Sequence, residues 1–145
     1  LLAGYQAEEV VNFGYPCIVE HEPLGTGGAL RNAAKHLKEE FFLFNGDTIC
    51  DFDYMELKRE IKDAGCASAV IKGKNDLWMG AGVYFMKRRF IGHVPRGASS
   101  LENDVMPKAL SIWDIIYHQV DAKFIDIGTP ESYKKAQEEK WISQI

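Results

Sequence analysis

Three stretches of this sequence combine residue types that could do chemistry. Each falls where an apolar pattern gives way to a loop. Residues 22–29 read Glu-Pro-Leu-Gly-Thr-Gly-Gly-Ala, three glycines in four positions ahead of a helical pattern. Glycines let backbone approach a ligand closely, and a following helix offers unpaired N–H groups at its start. Thr26 adds a hydroxyl. The same residues would equally make a tight turn that needs glycine conformations. No Lys-Ser/Thr pair follows, so this is not a Walker loop, and the spacing of a dinucleotide fingerprint is incomplete.

The second stretch, residues 41–47, is Phe-Phe-Leu-Phe-Asn-Gly-Asp. An apolar strand here delivers Asp47 at its carboxyl end, and Gly46 removes side-chain bulk beside it. A carboxylate so placed suits a hard cation, or caps a turn. In the third, residues 124–130, Asp126 lies between Ile125 and Ile127. On a strand, those two point to the face opposite Asp126. A buried carboxylate needs a partner. A cation shared with Asp47 would supply one, and so would the N–H groups of the Gly128-Thr129 turn. Two carboxylates from distant strands plus a glycine loop suit phosphate chemistry with Mg²⁺, which neutralises phosphate charge and aligns an in-line attack.

Strands and helices in rotation must position these residues. Strand patterns fall at 16–20, 41–44, 67–71, 81–86 and 123–127. Helical patterns fall at 7–13, 29–37, 53–64, 100–110 and from Pro130 onward. Asp53 and Ser100 are candidate N-caps, and Pro130 suits a first helical turn. The fold class expected is α/β, a Rossmann-like, mostly parallel sheet sandwiched by helices. The run at 41–44 reads as one of its buried strands. Ligands in such sheets sit beyond the carboxyl ends of strands, where all three stretches lie.

The 145 residues fit a single domain spanning 1–145, with a 46% hydrophobic and 26% charged make-up. A net charge of −4 and a pI near 5.6 argue against a broad nucleic-acid-binding face. No apolar stretch reaches membrane-spanning length. Cys17, Cys50 and Cys66 lack metal-ligand spacing and suit reduced thiols in a cytoplasmic setting. The four histidines are scattered and read as surface or packing residues. The cluster Lys87-Arg88-Arg89 reads as a solvated strand end. The opening Leu-Leu-Ala-Gly-Tyr reads as a strand end running into a turn, so the expectation is that the true N-terminus lies upstream.

Taken in order, residues 22–30 (EPLGTGGAL), 42–47 (FLFNGD), 81–84 (AGVY), 100–110 (SLENDVMPKAL) and 124–133 (FIDIGTPESY) resemble the sugar-phosphate nucleotidyltransferase family. The likeness is strongest to guanylyltransferases acting on heptose 1-phosphate and mannose 1-phosphate. It implies nucleotidyl transfer from an NTP, GTP favoured, to a sugar 1-phosphate, giving an NDP-sugar and pyrophosphate. It also implies Mg²⁺ held by Asp47 and Asp126 as the catalytic pair. Nucleotide contacts fall to Leu24, Gly25, Thr26 and Gly46, and sugar contacts to Gly82 and Glu102. The partners implied are those two small molecules, with neither nucleic acid nor membrane, and a homo-oligomer is compatible with it. The family's opening G-G-x-G-T-R-type loop, its P-K-P-type lysine and a Glu-Lys hairpin have no counterpart here. The alternatives are a non-catalytic nucleotide-binding relative and an NAD(P)-binding oxidoreductase domain.

Overall fold

The computed structural model describes residues 1–144. In chain order its strands are β1 (Leu2–Ala3), β2 (Ile18–Val19), β3 (Glu40–Phe44), β4 (Thr48–Asp51), β5 (Cys66–Lys72), β6 (Trp78–Lys87), β7 (Ile115–Gln119) and β8 (Lys123–Asp126). The α-helices are α1 (Ala7–Val11), α2 (Gly25–Asn32), α3 (Met55–Glu60), α4 (Met106–Ser111) and α5 (Pro130–Glu138). Two units form, one of residues 1–41 with 87–115, the other of residues 42–86 with those from 116 on.

In the first unit β1 and β2 pair in parallel, Leu2 opposite Ile18 and Ala3 opposite Val19. The sequence places the glycines in a loop ahead of a helix from Ala29. Instead α2 begins at Gly25 and ends at Asn32, followed by a 3₁₀ turn at Ala34–His36. The reason lies in where the first-turn N–H groups go. Gly27 and Gly28 both donate to the Ser99 carbonyl, at 2.8 and 3.3 Å. That external acceptor lets the glycines be helical despite their low propensity. The helical pattern at 100–110 is borne out in two pieces. Ser100 Oγ caps a π-helical turn, Leu101–Val105, by accepting from Asn103 N at 3.1 Å, and α4 continues with Pro107 in its first turn. Leu30, Phe90, Val94, Leu101, Val105 and Ala109 are buried in this unit.

The second unit holds a four-stranded sheet in the order β3-β6-β5-β7 and a two-stranded ladder of β4 with β8. Mixed strand directions enter through connection length. Only residues 73–77 join β5 to β6, too few for a crossover, so those two pair antiparallel, Cys66 opposite Met86 and Ala67 opposite Phe85. β4 and β8 are also antiparallel. The α/β class therefore holds, with parallel pairing at β1–β2 and antiparallel pairing at these two sites. The core gathers Cys50, Leu57, Ile61, Ala67, Ala69, Ala81, Val83, Phe85 and Val120. The small residues of β5 leave room for α3, whose Leu57 is fully buried. α3 runs from Met55 to Glu60, shorter than the pattern, and its N-cap is Tyr54 where Asp53 was expected; Asp53 Oδ1 instead accepts from Met55 N at 3.0 Å in the turn just before it.

The aromatic run at 41–44 is less buried than a central strand requires. Phe44 is 47% exposed, its ring edge-on to Tyr54 and stacked with Phe42. The Thr129-Pro130 start of α5 forms a reciprocal cap. Thr129 Oγ1 accepts from Ser132 N at 3.1 Å, and Ser132 Oγ accepts from Thr129 N at 3.2 Å. No helix of the described residues is long and apolar enough to cross a membrane.

Candidate functional site

Asp47 and Asp126, 79 positions apart in the chain, are neighbours in the second unit. The β4–β8 ladder sets Thr48 opposite Asp126. One step beyond it, Ile127 N donates to the Asp47 carbonyl at 2.7 Å. Both side chains meet at Gly128. A Cβ there would lie 3.0 Å from Asp126 Oδ1 and 3.6 Å from Asp47 Oδ2. A side chain at Gly128 would therefore crowd the Asp126 carboxylate and touch that of Asp47.

Asp126 is exposed, not buried as its flanking isoleucines suggest. The buried member of the pair is Ile125, at 8% exposure. Strand alternation puts Asp126 and Ile125 on opposite faces of β8, while Phe124, on the same face as Asp126, packs against the core. Asp126 Oδ1 accepts the Gly128 N–H at 2.8 Å, the turn contact weighed from sequence, and Asp47 Oδ2 also lies near Gly128. Mg²⁺ is commonly held by one or two carboxylates together with substrate phosphates and waters, so two exposed aspartates suit it. Among the described residues no group of three or more His, Cys, Asp and Glu side chains could hold a metal ion.

Gly82 supports the turn that carries Asp47. Its carbonyl accepts from Asn45 N at 2.8 Å. With φ at +66° it occupies a conformation that disfavours side chains, and a Cβ would crowd Asn45 Cβ and Thr48 Oγ1 at 3.0 Å each. Gly46 faces open space, with nothing within 4 Å of its would-be Cβ. Behind the turn, burial and then the neighbouring Asp51 push the Cys50 thiol up to about 11. Burial likewise raises Tyr54. The Arg59 guanidinium holds the Asp53 carboxyl below its usual range, helped by the Met55 N–H.

In the first unit the glycine stretch is stitched to residues 99–102. Ser99 N donates to the Leu24 carbonyl at 2.8 Å, and Leu24 N donates to Glu20 Oε2 at 3.0 Å. Gly25 has φ +69°, and its would-be Cβ falls 2.6 Å from the Ser99 carbonyl oxygen. Thr26 Oγ1 donates to Glu102 Oε2 at 2.9 Å and accepts from Leu101 N at 2.8 Å. Ser100 Oγ donates to the same Glu102 oxygen at 3.2 Å. The N–H groups of Gly25 and Thr26 have no partner among the described residues. They are two donors at the start of an exposed helix turn, placed to meet an acceptor. The structure therefore brings Thr26 and Glu102, assigned to different substrates by resemblance, into direct contact.

Sequence reasoning missed Ser99, whose main chain does the stitching. A backbone role leaves no trace in residue type. Ser100 was legible only as a cap. The basic cluster is structural where it can be traced. Arg88 pairs with Glu39. Arg89 Nη1 and His93 Nε2 each meet the buried Asp114 at 2.7 Å. His118 Nε2 lies 2.9 Å from Glu56 Oε2. His93 and His118, expected as surface or packing residues, each have a carboxylate within hydrogen-bond distance.

No family model matches the chain. Mannose-1-phosphate guanyltransferase 2 of Candida glabrata is 26% identical over 91% of this chain and 45% of its own length. The chain thus spans less than half of that relative. D-glycero-alpha-D-manno-heptose 1-phosphate guanylyltransferase of Campylobacter jejuni is 27% identical over 92% of this chain and 71% of the relative. Among solved structures, HddC from Yersinia pseudotuberculosis superposes with a TM-score of 0.79 at 26% identity, covering 95% of this chain and 76% of HddC. A second HddC structure, complexed with GMP-PN, gives 0.77. By sequence, the relatives of this chain are nucleotidyltransferases acting on sugar 1-phosphates, and its fold is that of HddC.

Proposed function

We propose that this chain is the greater part of a catalytic domain that transfers a nucleotidyl group, from GTP by preference, to a sugar 1-phosphate. A phosphate oxygen of the sugar 1-phosphate attacks the α-phosphorus. The bond from that phosphorus to the bridging oxygen breaks, and pyrophosphate leaves. The sugar phosphate is already an anionic nucleophile, so no general base is required of the protein. The observation that carries this reading is the convergence of Asp47 and Asp126 on one side-chain-free position, Gly128.

Asp47 and Asp126 would hold Mg²⁺, which when bound neutralises phosphate charge and favours departure of pyrophosphate. Leu24, Gly25 and Thr26 contact the nucleobase in this reading. The unpaired N–H groups of Gly25 and Thr26 favour a base edge with a carbonyl acceptor. Guanine, uracil and thymine have one at the relevant ring position, where adenine and cytosine carry an amino group. The guanylyltransferase relatives support guanine among the three. Gly46 leaves unobstructed space for the nucleotide beside Asp47. Glu102 accepts sugar hydroxyls, and Gly82 belongs to the sugar subsite by resemblance. A cytoplasmic setting, where nucleoside triphosphates and reduced thiols coexist, belongs to the same reading.

The test is pyrophosphate release by the intact protein given GTP and either mannose 1-phosphate or heptose 1-phosphate. Release matched by NDP-sugar, and abolished by EDTA, is the expected result. Nucleotide binding by calorimetry with no release for any NTP would instead identify a binding-only relative.

A further inference from the structure

We infer that Thr26 is a positioning residue for the sugar, coupling the glycine stretch to Glu102, and that its hydroxyl does not read the base. The inference rests on the transferase reading above. A hydroxyl has a single proton to donate. That proton goes to Glu102 Oε2 at 2.9 Å, while the same oxygen accepts from Leu101 N at 2.8 Å. Ser100 Oγ adds a second donor to Glu102 Oε2 at 3.2 Å, and is itself fixed by accepting from Asn103 N at 3.1 Å. One carboxylate oxygen thus receives two hydroxyls from opposite directions in the sequence, one from α2 and one from the turn that begins at Ser100.

Two such bonds help to hold the carboxylate of this long side chain. Charge-assisted hydrogen bonds of this kind are the stronger class. Thr26 sits in the first turn of α2, one residue after Gly25, whose φ of +69° sets the entry of the helix. The first turn of α2 therefore holds Glu102 in place. Base recognition stays with main-chain groups of the stretch, and the Thr26 side chain serves the other substrate.

The experiment compares steady-state kinetics of Thr26→Val, Thr26→Ser and Ser100→Ala with the wild-type protein, varying GTP and sugar 1-phosphate separately. Valine keeps the shape of threonine and removes the hydroxyl. Thr26→Val should raise KM for the sugar phosphate about tenfold, the scale of one hydrogen bond to a charged group. KM for GTP should stay within about twofold, and Thr26→Ser should restore the wild-type sugar KM. Ser100→Ala should move the sugar KM in the same direction by less, and decides the matter if Thr26→Val does not fold. Hydrogen exchange at the Leu101 amide should quicken in Thr26→Val and not in Thr26→Ser. A rise in KM for GTP with the sugar KM unchanged would overturn the inference. So would faster Leu101 exchange with both constants unchanged, because the contact would then be structural only. A wild-type protein that turns over no nucleotide fails the transferase reading itself, a result distinct from either.

Discussion

Replacing Asp126 by Asn separates the chemistry of the aspartate pair from its structural role. Asparagine keeps an oxygen where Asp126 Oδ1 accepts the Gly128 N–H at 2.8 Å, so the turn retains its bond. What changes is that a charge-assisted bond on an exposed residue becomes a neutral one, a difference of about 1 kcal/mol. For a chain of this size that corresponds to a melting temperature lower by about 3 °C. The chemical effect is larger. One of two anionic oxygens beside Gly128 is lost, and a bound metal contributes several kcal/mol to a phosphoryl transition state. If about 3 kcal/mol of that depends on Asp126, turnover falls by about 100-fold. The assay is pyrophosphate release across a Mg²⁺ titration, with a thermal melt on the same sample. The expected pattern is a small melting shift, a large loss of turnover and a higher half-saturating Mg²⁺ concentration. A wild-type rate with unchanged Mg²⁺ dependence would refute the metal assignment. A collapse of the melting transition would show that Asp126 is structural.

Two further outcomes follow from the glycine stretch and from the strand behind Asp47. Gly25→Ala should cost about 2 kcal/mol through its left-handed backbone alone, and more through the clash at 2.6 Å with the Ser99 carbonyl. It should melt earlier and lose nucleotide affinity by calorimetry, and unchanged melting would show that the turn is conformationally loose. Alkaline pH should destabilise the fold between about 9 and 11. The Cys50 thiol is raised from 9.0 to about 11 on folding, so the folded state keeps a proton that the unfolded state has released. That contribution is fully present below pH 9 and lost as pH rises through 11, worth about 2 kcal/mol. Tyr54 and Tyr117, also raised by burial, act in the same direction. Denaturant melts at pH 8 and pH 10.5 check this, and equal midpoints in Cys50→Ser and wild type at both would refute it.

Much of the fold was legible because side-chain pattern and local chemistry agree. Ser100 caps where a cap was expected, Pro130 opens α5, and the apolar runs at 67–71 and 81–86 are strands. β4 and β7 escaped notice for a physical reason. Thr48–Asp51 and Ile115–Gln119 are short, mix polar with apolar residues, and become strands through partners far away in sequence. The start of α2 escaped because glycine argues against helix, and only the distant Ser99 carbonyl reverses that. Of the site, residue types at strand ends pointed to Asp47 and Asp126. Their meeting at Gly128 depends on a ladder register that no local pattern encodes. The contact between Thr26 and Glu102, 76 positions apart, was out of reach for the same reason.

The β4–β8 ladder also acts as a proofreader. Side chains alternate along β8, so a slip of one residue would turn Asp126 toward the core and put Ile125 in its place. The misregistered chain would lose the burial of Ile125 and bring a carboxylate into apolar surroundings, two penalties of the same sign. Errors in the placement of Asp126 are thus rejected by its buried neighbour Ile125. Mutations that relax the hold on Ile125 would admit the wrong register at a distance, and they would be read in an activity screen as damage to the proposed metal-holding pair.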